Sequence, residues 1–131
     1  MKEAAIPEPL TLTVSLRGTH EVRDNCQIFH LNGLLDAFSE PTFRKTIAKY
    51  IDEGSSKNII LDLSKIDFID SSGLGALVQL VKKAKEEGGS VQVVTNPRVT
   101  QTVKVVRLEK FLRLQQTLAD AIEGLDADAG K

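Results

Sequence analysis

An aspartate followed by two serines is the feature of this sequence that most clearly offers chemistry. Asp70, Ser71, Ser72 and Gly73 follow an apolar segment and precede a helical pattern, so we expect them at the start of a helix. Asp and Ser are favoured N-cap residues, and capping alone could explain the string. Because only one residue can occupy the cap position, a second hydroxyl remains available. The alternative interpretation is that a serine here is modified or recognised.

A phosphoryl group at this helix start would have a small local effect and a large effect on binding. The free N–H groups and the positive end of the helix dipole would stabilise it by about 0.3–1 kcal/mol. The same group would add a charge of roughly −1.5 to −2 beside Asp70. In a complementary interface, repulsion and desolvation of that charge would oppose binding much more strongly. This asymmetry is what a binding switch requires.

Few other residues offer chemistry. The 131 residues include two histidines and one cysteine, which excludes an intramolecular disulfide and a multi-cysteine metal site. We expect His20 and His30 to have surface or packing roles, and Cys26 to be a small buried hydrophobe. The strings G-x-S-x-G and G-x-x-x-x-G-K-[ST], which mark hydrolases and phosphate-binding loops, are absent from the sequence. We therefore predict no metal, no cofactor and no enzymatic activity.

Length and composition are typical of one globular domain, with 41% hydrophobic and 27% charged residues. Seventeen basic and eighteen acidic residues give a net charge of −1, which argues against a general nucleic-acid or membrane-surface binder. The sequence begins with acids and prolines rather than the apolar run of a signal peptide, and no stretch approaches the ~18 apolar residues of a membrane span. We predict a cytoplasmic protein with a flexible leader at residues 1–9, one domain at 10–125 and a polar tail at 126–131.

Strands and helices are predicted to alternate in the order β-β-α-β-α-β-α-β-α. Residues 10–16 alternate between apolar and polar types, which predicts a strand with its apolar side chains on one face. A polar loop leads to a second strand at residues 26–31, so that the two form an antiparallel hairpin ending at Asn32 and Gly33. The later strands are predicted at residues 58–63, 91–94 and 111–114. This order implies an α/β fold whose mixed sheet begins with the hairpin and continues with parallel strands, packed with about four helices.

The predicted helices begin at recognisable capping residues. Ser39 and Asn96 are the expected N-caps of the first and third helices, and Thr117 with Asp120 resembles a capping box for the fourth. The second helix begins near Asp70, after a turn that follows the central strand. In open α/β sheets, sites lie at the carboxyl ends of the strands, and the serine string falls at such an end.

The ten residues at 66–75, I-D-F-I-D-S-S-G-L-G, resemble the signature of the anti-sigma factor antagonists, a group within the STAS domain family. The resemblance extends over residues 10–125 and includes the strand order. In the family motif the phosphorylated serine directly follows the aspartate, which implies Ser71 here. Residues 32–36, N-G-L-L-D, are similar to the family's glycine–x–leucine–aspartate turn, which implies that Asp36 lies near Ser71 on one surface.

The resemblance also implies a mechanism of partner switching. The unphosphorylated protein would bind an anti-sigma factor that is itself a serine kinase, and so free a sigma factor. The kinase would then phosphorylate Ser71 from ATP and release the product, and a metal-dependent serine/threonine phosphatase would reset the switch. Asp70 would be recognised by the kinase or the partner, Ser72 would cap the helix, and two glycines would leave room for close approach. The partner-binding residues implied in this way are Asp36, Asp70, Ser72, Gly73, Leu74 and Gly75.

Some positions depart from the family pattern and leave the choice of partner open. Leu34 stands where relatives often carry an acid, and Arg107 and Leu108 stand where they often have Gly-Leu. The leader and the loop at residues 17–25 are longer than the family minimum.

Two other functions are compatible with the same fold. One alternative is a nucleotide- or anion-binding STAS module, in which the helix N-terminus and nearby basic residues hold an anion. Residues 82–113 carry eight basic and three acidic side chains, although a solvated helix face explains the same charges. The other alternative is a scaffold subunit of a larger signalling complex, in which Ser71 is one of several phosphorylation sites.

Overall fold

The strands lie side by side in the sheet in the order in which they occur along the chain. A computed structural model describes residues 7–23 and 25–129, and within them six strands and four helices form. The strands are β1 (Glu8–Pro9), β2 (Leu16–Arg23), β3 (Cys26–Leu35), β4 (Asn58–Ile69), β5 (Ser90–Val94) and β6 (Leu114–Gln115). The helices are α1 (Glu40–Glu53), α2 (Ser71–Glu86), α3 (Pro97–Val105) and α4 (Leu118–Ala129). The strand order is β1-β2-β3-β4-β5-β6, antiparallel from β1 to β3 and parallel from β3 to β6, which confirms the predicted mixed sheet.

Apolar side chains cover the sheet unequally on its two faces. One face packs against α1, α2 and α3 in a large core that includes Phe29, Leu61 and Leu77. The other face packs against α4 through a smaller cluster made of Cys26, Ile28, Ile60, Val94, Ala121 and Leu125. As predicted for a central strand, β4 is covered on both faces, because the consecutive residues Ile59, Ile60 and Leu61 are all fully buried.

The prediction of a first strand at residues 10–16 is wrong. The backbone N–H of Thr13 donates to the Leu16 carbonyl at 3.2 Å, and the Thr13 hydroxyl accepts the Leu16 N–H at 3.1 Å, so the chain reverses there. Val14 is consequently 89% exposed. The strand that pairs with β3 is β2, which occupies most of the segment predicted as a loop.

Two strands extend beyond their predicted ends. β3 continues past Gly33 to Leu35, and β4 continues through the predicted turn at residues 64–69. The pairing of the two strands persists across two register irregularities, one between His30 and Asn32 and one between Gly33 and Leu34 of β3. These irregularities interrupt the alternation of inward- and outward-facing residues, so the sequence pattern does not show where β4 ends.

The boundaries of the domain also differ from the predicted ones. Glu8–Pro9, assigned to the leader, form β1, and α4 runs to Ala129, into the predicted tail. The last predicted strand, residues 111–114, is replaced by the two-residue β6. Residues 1–6 and 130–131 lie outside the described residues, so the remaining extent of the leader and of the tail stays a prediction.

The predicted helix starts are confirmed, with one change in the capping interaction. Side-chain oxygens of Asn96 and Thr117 each accept the backbone N–H three residues further on, at 2.8 and 3.0 Å. Ser39 stands at the N-cap position of α1, but its hydroxyl donates to the Leu34 carbonyl at 2.7 Å and makes no capping bond. Capping by the Ser39 side chain is therefore a wrong prediction, because the preceding loop uses the hydroxyl instead.

We expect Gly33→Ala to lower the free energy of unfolding by more than the ~1–2 kcal/mol of left-handed strain alone. Gly33 has a φ of +106°, and an added Cβ would lie 2.1 Å from the Ser15 carbonyl oxygen. Gly88 is a matched control, because its φ is +86° but a Cβ there would meet nothing within 4 Å. Urea denaturation of both variants measures the difference, and equal losses would contradict the predicted clash with Ser15.

Candidate functional site

The ends of two neighbouring strands bring Asp36 and Asp70 to the same edge of the sheet. Leu35, the last residue of β3, pairs with Ile69, the last residue of β4. The Asp70 N–H donates to the Leu35 carbonyl at 3.3 Å, which extends this pairing by one residue. Each aspartate is therefore the first residue beyond a buried strand, as expected for a site at the carboxyl ends of parallel strands.

Asp70 connects the start of α2 with the loop that follows β3. Its Oδ1 accepts the Gly73 N–H at 3.1 Å and caps the helix, while its Oδ2 accepts the Ala37 N–H at 3.3 Å. The predicted capping role of Ser72 is therefore wrong, because Asp70 occupies the cap. Ser71 and Ser72 are instead the first two residues of α2.

Ser71 is exposed and Ser72 is half-buried. Within residues 7–23 and 25–129, neither hydroxyl is hydrogen-bonded to another protein group. The first N–H groups of a helix have no partner within the helix, and the positive end of the α2 dipole lies at these serines. An anionic group on the Ser71 oxygen would therefore meet solvent, backbone donors and the Asp70 carboxylate.

The other residues of the string are divided between the surface and the core. Gly73 is buried, and a Cβ there would lie 2.5 Å from the Leu35 carbonyl oxygen, so the glycine lets α2 pack closely on the end of β3. Leu74 belongs to the core and is 3% exposed. Gly75 is exposed, and a Cβ there would meet nothing within 4 Å.

Asp36 organises the loop between β3 and α1. Its Oδ1 accepts the N–H groups of Phe38 and Ser39 at 3.1 and 3.0 Å. The fully buried Ser39 oxygen in turn accepts the Asp36 N–H at 3.1 Å. Together with the contact from Ala37 to Asp70, these bonds hold the loop in one conformation beside α2.

Exposed apolar side chains lie around this edge, and the sequence analysis missed them. Phe38 in the loop is 74% exposed and Phe68 near the end of β4 is 49% exposed. Val14 lies in the turn whose Ser15 carbonyl accepts the Leu34 N–H at 2.9 Å, so it belongs to the same end of the sheet. The sequence position of Phe38 could have indicated its exposure. Phe38 lies two residues after the aspartate of the turn and next to a helix start, where no helical or strand pattern gives it a core partner.

The loop that leads into α1 and the segment that leads into α2 carry only negatively charged side chains. Residues 36–40 and 67–71 contain the acids Asp36, Glu40, Asp67 and Asp70 and no basic residue.

In the part of the chain that the structure describes, no group of three or more His, Cys, Asp or Glu side chains could hold a metal ion. None of the helices formed by the described residues is long and apolar enough to cross a membrane.

Residues outside this edge have the packing roles that were predicted for Cys26 and His20. Cys26 is 2% exposed, which confirms it as a buried hydrophobe. The His20 ring stacks on Tyr50 and Phe29, with centroids 4.2 and 4.8 Å apart, and its Nε2 is hydrogen-bonded to Gln27 Oε1 at 2.9 Å.

This combination of a mixed sheet and a capped serine helix defines a known domain class. The family model of the STAS domain matches residues 19–121, and the chain belongs to that family.

Within the family, the chain is similar to anti-sigma factor antagonists. It is 28% identical over 100 residues to the anti-sigma F factor antagonist of Paenibacillus polymyxa, covering 76% of this chain and 86% of that protein. The crystal structure of an anti-sigma factor antagonist from Mycobacterium paratuberculosis superposes with a TM-score of 0.74 at 25% identity, covering 89% of this chain and 99% of the other.

The fold is also that of the anti-sigma factor antagonist SpoIIAA. Its unphosphorylated form superposes with a TM-score of 0.71 at 21% identity, covering 84% of this chain and 96% of SpoIIAA. The phosphorylated form of SpoIIAA, a cell fate determinant of Bacillus, has been solved as well and superposes with a TM-score of 0.62 at 21% identity, covering 81% of this chain and 96% of the other.

Asp70→Ala is expected to lower the free energy of unfolding by about 1 kcal/mol, because it removes the cap of α2. Asp70→Asn retains an acceptor oxygen for the Gly73 N–H and should lose less. Asp67→Ala is the matched control, since Asp67 is exposed three residues earlier, on β4, and carries the same charge. Urea denaturation tests the order of the three variants. An equal loss in the Asp67 variant would contradict a capping role.

Proposed function

We propose that this protein is an anti-sigma factor antagonist whose binding to an anti-sigma factor is switched off by phosphorylation of Ser71. The observation that carries the proposal is the exposed Ser71 hydroxyl at the first residue of α2, directly behind the Asp70 cap. The names of the relatives support the partner class. The solved phosphorylated form of SpoIIAA supports the kind of switch.

The surface around Ser71 has the properties of a docking surface for a protein. Phe38 is 74% exposed on a loop that four side-chain hydrogen bonds hold in place, so little conformational entropy would be lost when a partner covers it. Exposed aromatic side chains are frequent anchors of interfaces. The acids of the two adjoining segments favour a partner whose apolar pocket is bordered by Lys and Arg.

Phosphorylation would change the charge of this surface without requiring a change of fold. The γ-phosphoryl group of ATP would pass to the Ser71 oxygen, the hydroxyl proton would go to a base of the anti-sigma factor kinase, and ADP would leave. The phosphate would add roughly −1.5 to −2 to a surface that is already acidic. Lys and Arg at the border of the partner's apolar pocket would pair with the acids of this surface, but a dianion placed against the apolar pocket itself must be desolvated, so binding weakens.

Both catalytic steps would belong to the partners. A serine/threonine phosphatase would hydrolyse the phosphoserine and return the hydroxyl, and this chain would act only as substrate and ligand, in the cytoplasm and without binding DNA. The exposed Ser71 and Gly75 would face the partner, together with the half-buried Asp36, Asp70 and Ser72. The buried Gly73 and Leu74 would support the position of α2.

A small anionic ligand is a second candidate, favoured by a groove between α3 and β6. The groove has a volume of about 890 Å³, and Thr95, Thr100, Lys104 and Gln116 contribute to its lining. The hydroxyls of Thr95 and Thr100 are hydrogen-bonded to each other at 2.9 Å, and Lys104 is the charged side chain of the lining that could contact an anion. Calorimetric titration with GTP, ATP and sulfate separates the candidates, because tight nucleotide binding is expected only for the second.

Incubation with the cognate anti-sigma factor kinase and ATP is expected to add one phosphate to the wild-type chain and none to Ser71→Ala. Ser72→Ala is the matched control and should accept phosphate, because the neighbouring hydroxyl is left intact. Intact-mass spectrometry with peptide mapping measures both results. Phosphate on the Ser71→Ala chain, or mapped to Ser72, would contradict the assignment.

Ser71→Asp is expected to weaken binding to the same anti-sigma factor by at least about tenfold, because it places a charge at the centre of the docking surface. Calorimetry of the Ser71→Asp and Ser71→Asn chains measures the effect, and the asparagine controls for the size of the side chain. Equal affinities of the two variants would contradict an electrostatic switch.

Phe38→Ala is expected to reduce affinity for the anti-sigma factor about tenfold, because an exposed aromatic anchor is removed. The melting temperature should not change, since Phe38 makes little contact with the core. Val22→Ala is the control, because Val22 is 47% exposed and pairs with Gln27 at the opposite end of β3. Calorimetry and thermal unfolding provide the two measurements, and an equal loss of affinity in both variants would contradict a specific role for Phe38.

A further inference from the structure

His30 lies between two carboxylates that come from the strands on either side of it. Its Nδ1 is 2.7 Å from Asp62 Oδ2 on β4, and its Nε2 is 2.8 Å from Glu21 Oε2 on β2. The three side chains connect β2, β3 and β4 across the face of the sheet on which Ile28 and Ile60 contact α4. The packing role that the sequence predicts for His30 does not include this pair of charged partners.

Both carboxylates are held in their ionised form by other contacts as well. Burial raises the pKa of Glu21, but hydrogen bonds from His30 and Arg23 outweigh it, and the pKa lies below its ordinary value. Burial likewise raises the pKa of Asp62, but hydrogen bonds from Ser64 and His30 hold it below its ordinary value. Ionised carboxylates only accept hydrogen bonds.

The number of hydrogens on the imidazole decides whether both contacts can form. A neutral ring has one N–H and one lone pair, whereas the cationic ring has two N–H groups. With a neutral ring, one carboxylate would face a nitrogen lone pair at hydrogen-bond distance. We propose that His30 is a proton-dependent tie, which joins Glu21 and Asp62 when both of its ring nitrogens carry hydrogen and releases one of them when a proton is lost.

Further charged groups surround the tie. Arg17 on β2 and Lys65 on β4 line the same surface hollow as His30, with a volume of about 420 Å³, and both disfavour a cationic ring. Arg23 contacts the other oxygen of the same carboxylate, Glu21 Oε1, at 3.0 Å, so both oxygens of Glu21 have a partner. The two carboxylates are the direct contacts of the ring, and they favour the cation.

The tie acts where β4 departs from regular pairing. Asp62 Oδ1 accepts the Ser64 N–H at 3.1 Å and the Ser64 hydroxyl at 2.7 Å, and the first register irregularity between β3 and β4 lies directly beyond His30. From this irregularity β4 continues to the residues that precede Asp70. The tie therefore stabilises the beginning of the part of β4 that leads to Asp70 and Ser71, whatever partner binds there.

The stability that the tie contributes has a defined dependence on pH. Glu21 and Asp62 have lowered pKa values, so their contribution is present above their unfolded values and is lost as the pH falls through the folded values. A ring with a single N–H can donate to only one of the two carboxylates, so the contribution of the tie falls when a ring proton is lost.

Urea denaturation of the wild-type chain and of His30→Gln between about pH 5 and pH 9 tests the proposal. At the acidic end we expect the unfolding equilibrium constant of the variant to exceed that of the wild type by about tenfold, as for the loss of one charge-assisted hydrogen bond. The ratio should fall as the pH rises. His20→Gln is the matched control, because His20 contacts Gln27 and aromatic rings rather than a carboxylate. A ratio for His30→Gln that does not change with pH would overturn the proposal.

Nitrogen NMR of the wild-type rings provides a test that does not depend on whether the variant folds. At about pH 6 we expect both His30 nitrogens to show the chemical shift of protonated imidazole nitrogen. The loss of one proton at higher pH should coincide with a shift of the Glu21 or Asp62 carboxyl carbon. A His30 ring with one protonated nitrogen at the lower pH, or carboxyl carbons that do not respond to its titration, would overturn the tie.

Discussion

The parallel pairing of β3 with β4 is the constraint on which the site depends. It continues through two irregularities to Leu35 and Ile69 and stops there, so both chains leave the sheet at the same place. The aspartate that follows each strand then accepts backbone N–H groups of the loop before α1 and of the first turn of α2, which have no partner in the sheet or within a helix. One carboxylate shapes the loop before α1, and the other begins α2 and holds that loop.

In this site, the groups that hold the loop and the helix start in place are different from the hydroxyl that is proposed to be modified. The Ser71 hydroxyl takes no part in the hydrogen bonds that form the loop and the helix cap, so a group can be added to it without removing any of them. The same bonds present Phe38 to solvent in a fixed position. A group added to Ser71 would therefore change the local charge while the scaffold keeps its stability, which is the combination that the proposed switch requires.

Much of the fold, and the position of the serine string at the start of a helix, could be predicted from the sequence, and the failures have physical causes. The order of strands and helices followed from periodicity, and the serine string was found because Asp and Ser mark a helix start. The turn at Thr13 was missed because a threonine side chain satisfies the backbone there in place of a glycine or proline signal. The end of β4 was missed because each bulge changes which residues face the core. The position of Phe38 beside a helix start indicates only that it has no core partner, whereas its orientation depends on tertiary contacts of the loop, such as the bond from the Ala37 N–H to Asp70.

The two outer strands of the sheet, β1 and β6, have two residues each. A long open edge can pair with the edge of another molecule and so lead to aggregation, and very short edge strands with a proline reduce this risk. Pro9 lies in β1 and cannot donate a backbone hydrogen bond. The short edges therefore offer little backbone for pairing with another molecule, and the exposed aromatic side chains Phe38 and Phe68 lie away from them, at the end of the sheet where β3 and β4 stop.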